Sequence, residues 1–162
     1  MTAGRLRKPR GWAAPGPSLF LLLTLLVLPL AAMAGEAADR ELAADEAWSM
    51  AARGDVVIVD VRTPDEWRET GVAQGALRIS LYSGRGVPNL GFVAEVTSVA
   101  GARPIALICA AGVRSSLAAV LLQGEGFAAV YDVAEGVLGS DAGPGWLARG
   151  LPVEPCGDCP PG

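Results

Sequence analysis

Continuous apolar runs alternate with amphipathic stretches along the chain from residue 41 onward. The runs are rich in β-branched and aliphatic residues, and they cover residues 56–61, 75–81, 104–109 and 127–133. Such unbroken runs are typical of parallel strands that are buried on both faces, whereas strands with one wet face alternate apolar and polar residues. We therefore predict a buried, mainly parallel sheet.

Helical spacing and capping signals lie between these runs. Thr63-Pro64 followed by acidic residues is a typical helix start, and Gly71 ends that helix. Further helices are predicted over residues 41–53, 90–99, 117–123 and 146–150. Ser115-Ser116 is predicted to cap the helix that begins at Leu117. The alternation predicts an α/β fold, an open, mainly parallel sheet with helices on both faces.

The third strand delivers Cys109 to a short loop that contains Gly112 and Arg114 and leads into a helix. Ligands of parallel sheets bind at the carboxyl ends of the strands, which is where Cys109 falls. The unpaired N–H groups and positive dipole end of a helix N-terminus favour an anion, so a nucleophilic Cys109 thiolate is expected. Arg114 adds positive potential if it turns inward, but it can also point outward. The plainer interpretation of Cys109 is a small buried apolar residue.

The first 34 residues have the pattern of a secretory signal peptide. Four basic residues precede an apolar run, and Ala32-Met33-Ala34 supplies a small–x–small cleavage motif. We predict cleavage near Ala34 and a periplasmic or secreted protein. The alternative is an uncleaved membrane anchor, although the run is shorter than the ~20 residues that span a bilayer comfortably. The predicted organisation is a signal peptide over 1–34, one domain over 35–153 and a Pro/Gly-rich tail over 154–162.

Length and charge restrict the partners. A chain of 162 residues suits one compact domain with tails. Cleavage after Ala34 removes four of the 13 basic residues and none of the 17 acidic ones, so the net charge falls from −4 to −8. Nucleic-acid binding needs clustered Lys and Arg, and the chain beyond the leader contains no lysine. We expect no nucleic-acid partner, and contact with a membrane only through an uncleaved leader.

A combination of short motifs extends over the chain from about Asp39 to Val153. It comprises Asp60-Val-Arg62, Glu66-Trp67, Gly71, Gly75-Ala76, Cys109-x-x-Gly112-x-Arg114-Ser115, Gly126-Phe127, Gly136, Trp146 and Gly150-Leu-Pro-Val153. The combination is more specific than any one motif, and through it this part of the chain resembles a single rhodanese domain.

The resemblance implies a sulfurtransferase that takes sulfane sulfur onto Cys109 as a persulfide and passes it to a thiol or other thiophilic acceptor. The donor would be thiosulfate or a persulfide, and no metal or organic cofactor is implied. By position, the backbone N–H groups of a cradle would hold the persulfide, with further residues supporting the fold near the site. The cradle comprises Ala110, Ala111, Gly112, Val113 and Arg114, and the supporting residues are Asp60, Arg62 and Ser115.

Two departures from the family pattern bear on activity. The histidine that often follows the Gly71 position is Val72 here, and the chain contains no histidine, so base chemistry by histidine is excluded. Ala110 and Ala111 lack the polar or basic side chains of many relatives. Arg114 alone would attract an anionic donor, which puts efficient use of thiosulfate in doubt.

Two rival functions remain open. A cysteine-dependent phosphatase uses a similar strand, loop and helix, but its motif is Cys-x5-Arg, whereas Arg114 follows Cys109 after four residues and Ser115 takes the next position. A catalytically idle rhodanese-like module would bind a protein or carry sulfur without turning over a small donor. The neutral Ala110-Ala111 pair favours this second rival.

Cys156 and Cys159 form a Cys-x-x-Cys motif in the tail, without a neighbouring predicted helix or strand. In an oxidising compartment the favoured interpretation is a local disulfide, which leaves Cys109 as the free thiol. The functional alternative is a redox pair that reduces the Cys109 persulfide or accepts its sulfur. Two thiols without histidine do not fill a zinc site.

Overall fold

The structure is a computed structural model that describes residues 1, 40–83 and 86–159. The predicted signal peptide lies outside the described residues except for Met1, and so does the end of the tail. No helix in the described part of the chain is long and apolar enough to cross a membrane.

Strands and helices alternate through the described residues. The strands are β1 (Glu41–Leu42), β2 (Val57–Asp60), β3 (Val72–Ala73), β4 (Leu77–Arg78), β5 (Tyr82–Ser83), β6 (Val87–Pro88), β7 (Ile105–Ile108), β8 (Val130–Val133) and β9 (Val153–Glu154). The helices are α1 (Ala44–Arg53), α2 (Pro64–Thr70), α3 (Phe92–Ala100), α4 (Val113–Gly124) and α5 (Gly145–Ala148).

Five parallel strands form the central sheet in the order β1-β8-β7-β2-β4. The register pairs Asp60 with Ile108 on one side and with Arg78 on the other. The carboxyl ends of β2, β4 and β7 therefore meet at one edge of the sheet, with β7 in the middle of the strand order. Two antiparallel pairs, β3 with β9 and β5 with β6, lie outside this sheet.

Each face of the sheet carries its own apolar core. On one face, Ile105 and Leu107 of β7 pack with residues of α3 and α4. On the other face, Ala106 and Ile108 pack with residues of α1 and α5, including Trp146. This alternation along β7 explains why the strand is apolar at every position, because both faces are covered. The predicted α/β fold with a mainly parallel sheet is confirmed.

Several predicted element bounds differ from the structure. Predicted strands 75–81 and 127–133 shorten to β4 and β8, and predicted helices 90–99 and 146–150 shift to α3 and α5. The largest error is at Glu41-Leu42, which was expected to begin a helix but pairs with Asp132 and Val133 as edge strand β1. Its hydrogen-bonding partner comes from β8, so no local pattern could reveal it.

The predicted start of α4 was also wrong. Gly112 is the N-cap, with a left-handed φ of 85°, and the helix begins at Val113. Ser115 therefore lies inside the first turn, fully buried, and does not cap the helix. By contrast, the predicted start of α2 is confirmed, because Thr63 and Glu66 form a reciprocal capping box and Pro64 is the first residue of the helix.

Candidate active site

Cys109 follows β7 directly and is the free cysteine of the described chain, only 1% exposed. The backbone carbonyls of Cys109 and Ala110 are held by the segment after β8, since they accept hydrogen bonds of 2.8 Å from Val137 N and 2.9 Å from Leu138 N. The carbonyl groups of this part of the loop are thus committed to the neighbouring segment.

The backbone N–H groups of the same loop are not committed. The N–H groups of residues 110–115 donate no hydrogen bond to any acceptor within residues 40–83 and 86–159. The N-cap of α4 supplies no side-chain acceptor, and the first turn of the helix holds no acidic residue. The loop after Cys109 therefore presents consecutive donors and the positive end of a twelve-residue helix, an arrangement that suits an anion.

Two glycines allow the loop to lie against the segment after β8. Gly112 has a φ of 85°, and a Cβ there would meet the backbone carbonyl of Ala134. Gly136 has a φ of 69°, and a Cβ there would meet the backbone of Ala110. Each glycine combines a left-handed conformation with a close backbone approach, so both segments need residues without a side chain at these positions.

The segment after β8 is itself anchored by an ion pair between a buried carboxylate and a partly exposed arginine. Glu135 is 2% exposed, and its carboxylate accepts a hydrogen bond of 2.5 Å from Arg149 and one of 2.9 Å from Gly145 N. These contacts fix the chain that runs on to Val137 and Leu138. The hydrogen-bonding partners of the Cys109 loop are therefore held in place by contacts that do not involve the loop.

Ser115 lies next to the thiol, and Asp132 interacts with Ser115. Ser115 Oγ is 3.4 Å from Cys109 Sγ and 2.9 Å from the Gly112 carbonyl oxygen, and its single proton is donated to one of these two acceptors at a time. Burial raises the pKa of Asp132 to about 6, although interaction with the Ser115 hydroxyl opposes this rise. Asp132 Oδ1 is buried and finds no hydrogen-bonding partner in the described part of the chain. A carboxyl group with a raised pKa thus faces the hydroxyl that contacts Cys109.

Arg114 points toward α2. Its guanidinium makes a two-pronged pair with Glu66, with N–O distances of 2.5 and 2.7 Å. Burial tends to raise the pKa of Glu66, but the hydrogen bonds from Arg114 and Thr63 outweigh this and lower it to about 2. The charge of Arg114 is therefore balanced by a carboxylate that is ionised at any ordinary pH.

Asp60 and Arg62 form a fully buried ion pair at the carboxyl end of β2. Arg62 Nη2 is 2.7 Å from Asp60 Oδ2 and also donates to the Gly71 carbonyl at 2.7 Å, while Nη1 donates to Thr70 Oγ1 at 2.6 Å. The N–H donors of Arg62 are thus engaged by protein acceptors, and its guanidinium lies at the carboxyl end of α2.

Cys156 and Cys159 are joined by a disulfide. The motif also has a structural neighbour that the sequence did not predict, because β9 pairs with β3 just before it. Cys156 packs with Trp67 and Val72 in a cluster separate from the one that contains Cys109. No group of His, Cys, Asp or Glu that could hold a metal ion occurs among the residues that the structure describes.

Three carboxylates near the loop were not singled out from the sequence. Glu66 was noted as an early acid of a helix and as part of the family motif, but not as the partner of Arg114. Asp132 and Glu135 interrupt an apolar stretch around β8. This interruption could have marked both residues as candidates for a structural or functional role, because buried charges are rare unless they are paired or functional. Their partners, however, come from other segments.

The family model for the rhodanese-like domain matches residues 43–140. No curated protein matches the chain. Among solved structures, Rv0390 from M. tuberculosis is 30% identical with a TM-score of 0.60, covering 70% of this chain and 96% of that one. RPA3614 from Rhodopseudomonas palustris, described as a protein of unknown function and possible tyrosine phosphatase, is 25% identical with a TM-score of 0.51, covering 71% and 84%. The Alr3790 protein from Anabaena sp. is 24% identical with a TM-score of 0.55, covering 70% and 90%.

We predict that Gly112→Ala is more destabilising than Gly126→Ala. Both glycines have left-handed φ values, 85° and 92°, but a Cβ at position 126 would meet no atom within 4 Å. Conformational strain alone should lower the free energy of unfolding by about 1–2 kcal/mol in Gly126→Ala. The added clash with Ala134 should bring the loss to at least about 3 kcal/mol in Gly112→Ala. Urea denaturation measures both values, and equal losses would show that the close approach of the loop is unimportant.

We predict that Asp132→Asn changes how stability depends on pH. The folded state raises the pKa of Asp132 from 3.8 to about 6, so the fold favours the protonated carboxyl. This stabilising contribution is complete below the lower value and is lost as the pH rises through the upper one. Relative to Asp132→Asn, the parent should lose roughly 1–2 kcal/mol of unfolding free energy between about pH 4 and pH 7, after allowance for screening.

Urea denaturation of both proteins across this pH range tests the prediction. A difference between parent and Asp132→Asn that stays constant with pH would contradict it.

Proposed function

Because the chain belongs to the rhodanese-like domain family, we propose that it is a sulfurtransferase that carries sulfane sulfur as a persulfide on Cys109. The observation that carries the proposal is the set of uncommitted N–H groups at residues 110–115 around a free cysteine. A persulfide places a negatively charged sulfur one bond beyond Cys109 Sγ. Consecutive N–H donors and a helix N-terminus stabilise such a charge without a metal or a cofactor.

The proposed cycle has two displacements at sulfur. The Cys109 thiolate attacks the outer sulfur of the donor, the donor's S–S bond breaks, and the donor leaves with the electron pair, as sulfite if the donor is thiosulfate. An acceptor thiolate then attacks the outer sulfur of the Cys109 persulfide, and the Cys109 thiolate is regenerated. Ser115 Oγ, 3.4 Å from Cys109 Sγ, is positioned to donate a hydrogen bond to that thiolate.

The pairing of Arg114 with Glu66 bears on the choice of donor. Thiosulfate is a dianion, and the charge of the loop arginine is already balanced by a carboxylate at 2.5 Å. Ala110 and Ala111 add no charge or side-chain donor of their own. A less highly charged organic persulfide is therefore the donor class that this loop favours.

Phosphatase chemistry is the weaker alternative. It is suggested by the description of RPA3614 as a possible tyrosine phosphatase. In this chain, however, Ser115 occupies the position where the longer phosphatase loop carries its arginine, and Arg114 is engaged with Glu66. The loop thus offers backbone donors but no free guanidinium for a phosphate group.

We also propose that the protein is exported and then works in an oxidising compartment. The basic head, apolar run and Ala32-Met33-Ala34 motif support cleavage of a leader near Ala34. The disulfide between Cys156 and Cys159 agrees with such a compartment, because disulfides form and persist there.

We predict that Cys109 accepts one sulfur atom from a donor. Intact-protein mass spectrometry of the full chain, after incubation with an organic persulfide or with thiosulfate, should detect a gain of one sulfur mass that mild reduction removes. Cys109→Ser should show no such gain, because its oxygen cannot form the persulfide. Ser116→Ala is the control, since it changes an exposed residue in the first part of α4, retains the nucleophile and should still gain sulfur.

A folded parent protein with reduced Cys109 that gains no sulfur from either donor would overturn the proposed sulfurtransferase. It would favour the idle binding module instead. Sulfur loading without transfer to a thiol acceptor would restrict the protein to a sulfur carrier.

We predict that Glu66→Gln improves the use of thiosulfate. Glutamine keeps the capping role at this helix position but removes the charge that balances Arg114. The KM for thiosulfate should fall roughly threefold at low ionic strength, which corresponds to the interaction energy of a partly exposed ion pair. This fall in KM should be smaller at high salt, because salt screens the charges. The KM for an uncharged organic trisulfide donor should not change.

Glu69→Gln is the matched control, because it removes the same charge from an exposed position on the same helix. An equal fall in KM for Glu69→Gln, or for both donors, would attribute the effect to net charge and not to release of Arg114.

A further inference from the structure

The disulfide between Cys156 and Cys159 lies in a structured environment. Strand β9, which pairs with β3, directly precedes the motif. Cys156 is 7% exposed and packs against Trp67 and Val72. Cys159 contacts the same cluster but is only half-buried. The two sulfur atoms are therefore unequal in their access to a partner from solution.

Arg78 adds a second inequality. Its Nη1 atom lies 2.8 Å from Cys156 Sγ and 4.0 Å from Cys159 Sγ. The same guanidinium pairs with Asp158 at 2.7 Å, but that carboxylate is largely exposed, so water and salt weaken its hold on the charge. A positive charge thus stands beside the more buried sulfur.

The charges around the motif come from three elements and the tail. Arg78 lies on β4, Glu154 on β9 is close enough to Arg78 to influence it electrostatically, and Arg68 on α2 donates to the Cys159 carbonyl at 3.4 Å. Arg78 is in direct contact with Cys156 Sγ, whereas Arg68 contacts the backbone carbonyl of Cys159. Its removal should therefore alter the chemistry of Cys156 more than that of Cys159.

We propose that Cys156 and Cys159 form a thiol–disulfide exchange site whose partner is a dithiol. A thiolate of the partner attacks Cys159 Sγ, the Cys156–Cys159 bond breaks, and the electron pair goes to Cys156 as a thiolate beside Arg78. The partner's second thiolate then attacks its own sulfur in the mixed disulfide, which releases Cys159 as a thiolate and leaves the partner as a disulfide. Two electrons pass from the partner to this chain, and the two thiolates take up protons according to the pH.

This direction of attack follows from the two inequalities. Exchange is faster when the attacked sulfur is accessible and when the leaving thiolate is stabilised. Cys159 meets the first condition because it is half-buried, and Cys156 meets the second because of Arg78. A bridge with only a structural role has no need of either condition.

A structural role is also weakly supported by the chain itself. The bridge spans a sequence separation of three residues, and short loops gain least from cross-linking. The segment before it is already held by pairing of β3 with β9. Reduction should therefore leave the fold intact, which a reversible exchange site requires.

The exchange site does not depend on the proposed sulfurtransferase. Cys109 packs with α3 and α4, whereas Cys156 packs with Trp67 and Val72 in another cluster. The test therefore uses the full chain with Cys109→Ser, so that failure of the Cys109 chemistry cannot affect the result. The probe is dithiothreitol, with glutathione as a monothiol that traps the mixed disulfide.

We expect dithiothreitol to reduce the Cys156–Cys159 disulfide of the folded protein, and Arg78→Met to slow that reduction by about tenfold because the leaving thiolate loses its cation. Arg78→Lys, the conservative control, should recover most of the rate. Asp158→Asn should reduce faster than the parent, since it releases Arg78 from its carboxylate. Alkylation with mass detection follows the rate, and circular dichroism checks that each variant is folded.

Two further measurements distinguish thiol–disulfide exchange from a purely structural effect of the substitutions. Glutathione should be trapped on Cys159 and not on Cys156, as located by peptide mass spectrometry. Thiolate absorbance of the reduced protein should appear at lower pH in the parent than in Arg78→Met. Trapping on Cys156, equal rates in parent and Arg78→Met, or loss of the fold on reduction would each overturn the proposal.

Discussion

The buried ion pair between Asp60 and Arg62 is the contact on which the arrangement of the site depends. It lies at the carboxyl end of β2, and Arg62 also donates to Thr70 and to the Gly71 carbonyl, so the carboxyl end of α2 is tied to the sheet edge. A buried charge pair of this kind is tolerated only when its remaining donors are satisfied, and here they are. The position of α2 in turn decides where Glu66 meets Arg114.

The loop after Cys109 is rigid for a different reason. Its carbonyls are bound to Val137 and Leu138, its glycine at position 112 lies against Ala134, and the bound segment is anchored by Glu135. With the carbonyls engaged, the N–H groups remain for a ligand. Electrostatic preorganisation of this kind stabilises an anion without movement at the moment of reaction. The acidic chain thus presents a local group of N–H donors that suits a negative charge.

Much of the fold was predictable because it rests on local signals. The unbroken apolar run of β7 indicated a strand covered on both faces, and Thr63, Pro64 and Glu66 indicated the start of α2. The prediction at Ser115 was wrong for an instructive reason. Serine is a frequent N-cap, but Gly112 with its left-handed φ already ends the loop, so Ser115 falls inside the helix and faces Cys109.

By itself, the sequence determined the α/β class, the place of Cys109 at a strand end and the presence of a loop and helix beyond it, because neighbours along the chain carry those patterns. The tertiary structure alone decided which charges meet. The contacts of Arg114 with Glu66 and of Arg78 with Cys156 join residues separated by 48 and 78 positions. Such contacts depend on the order of strands in the sheet and on the closure of the loops between them, and no local periodicity encodes either.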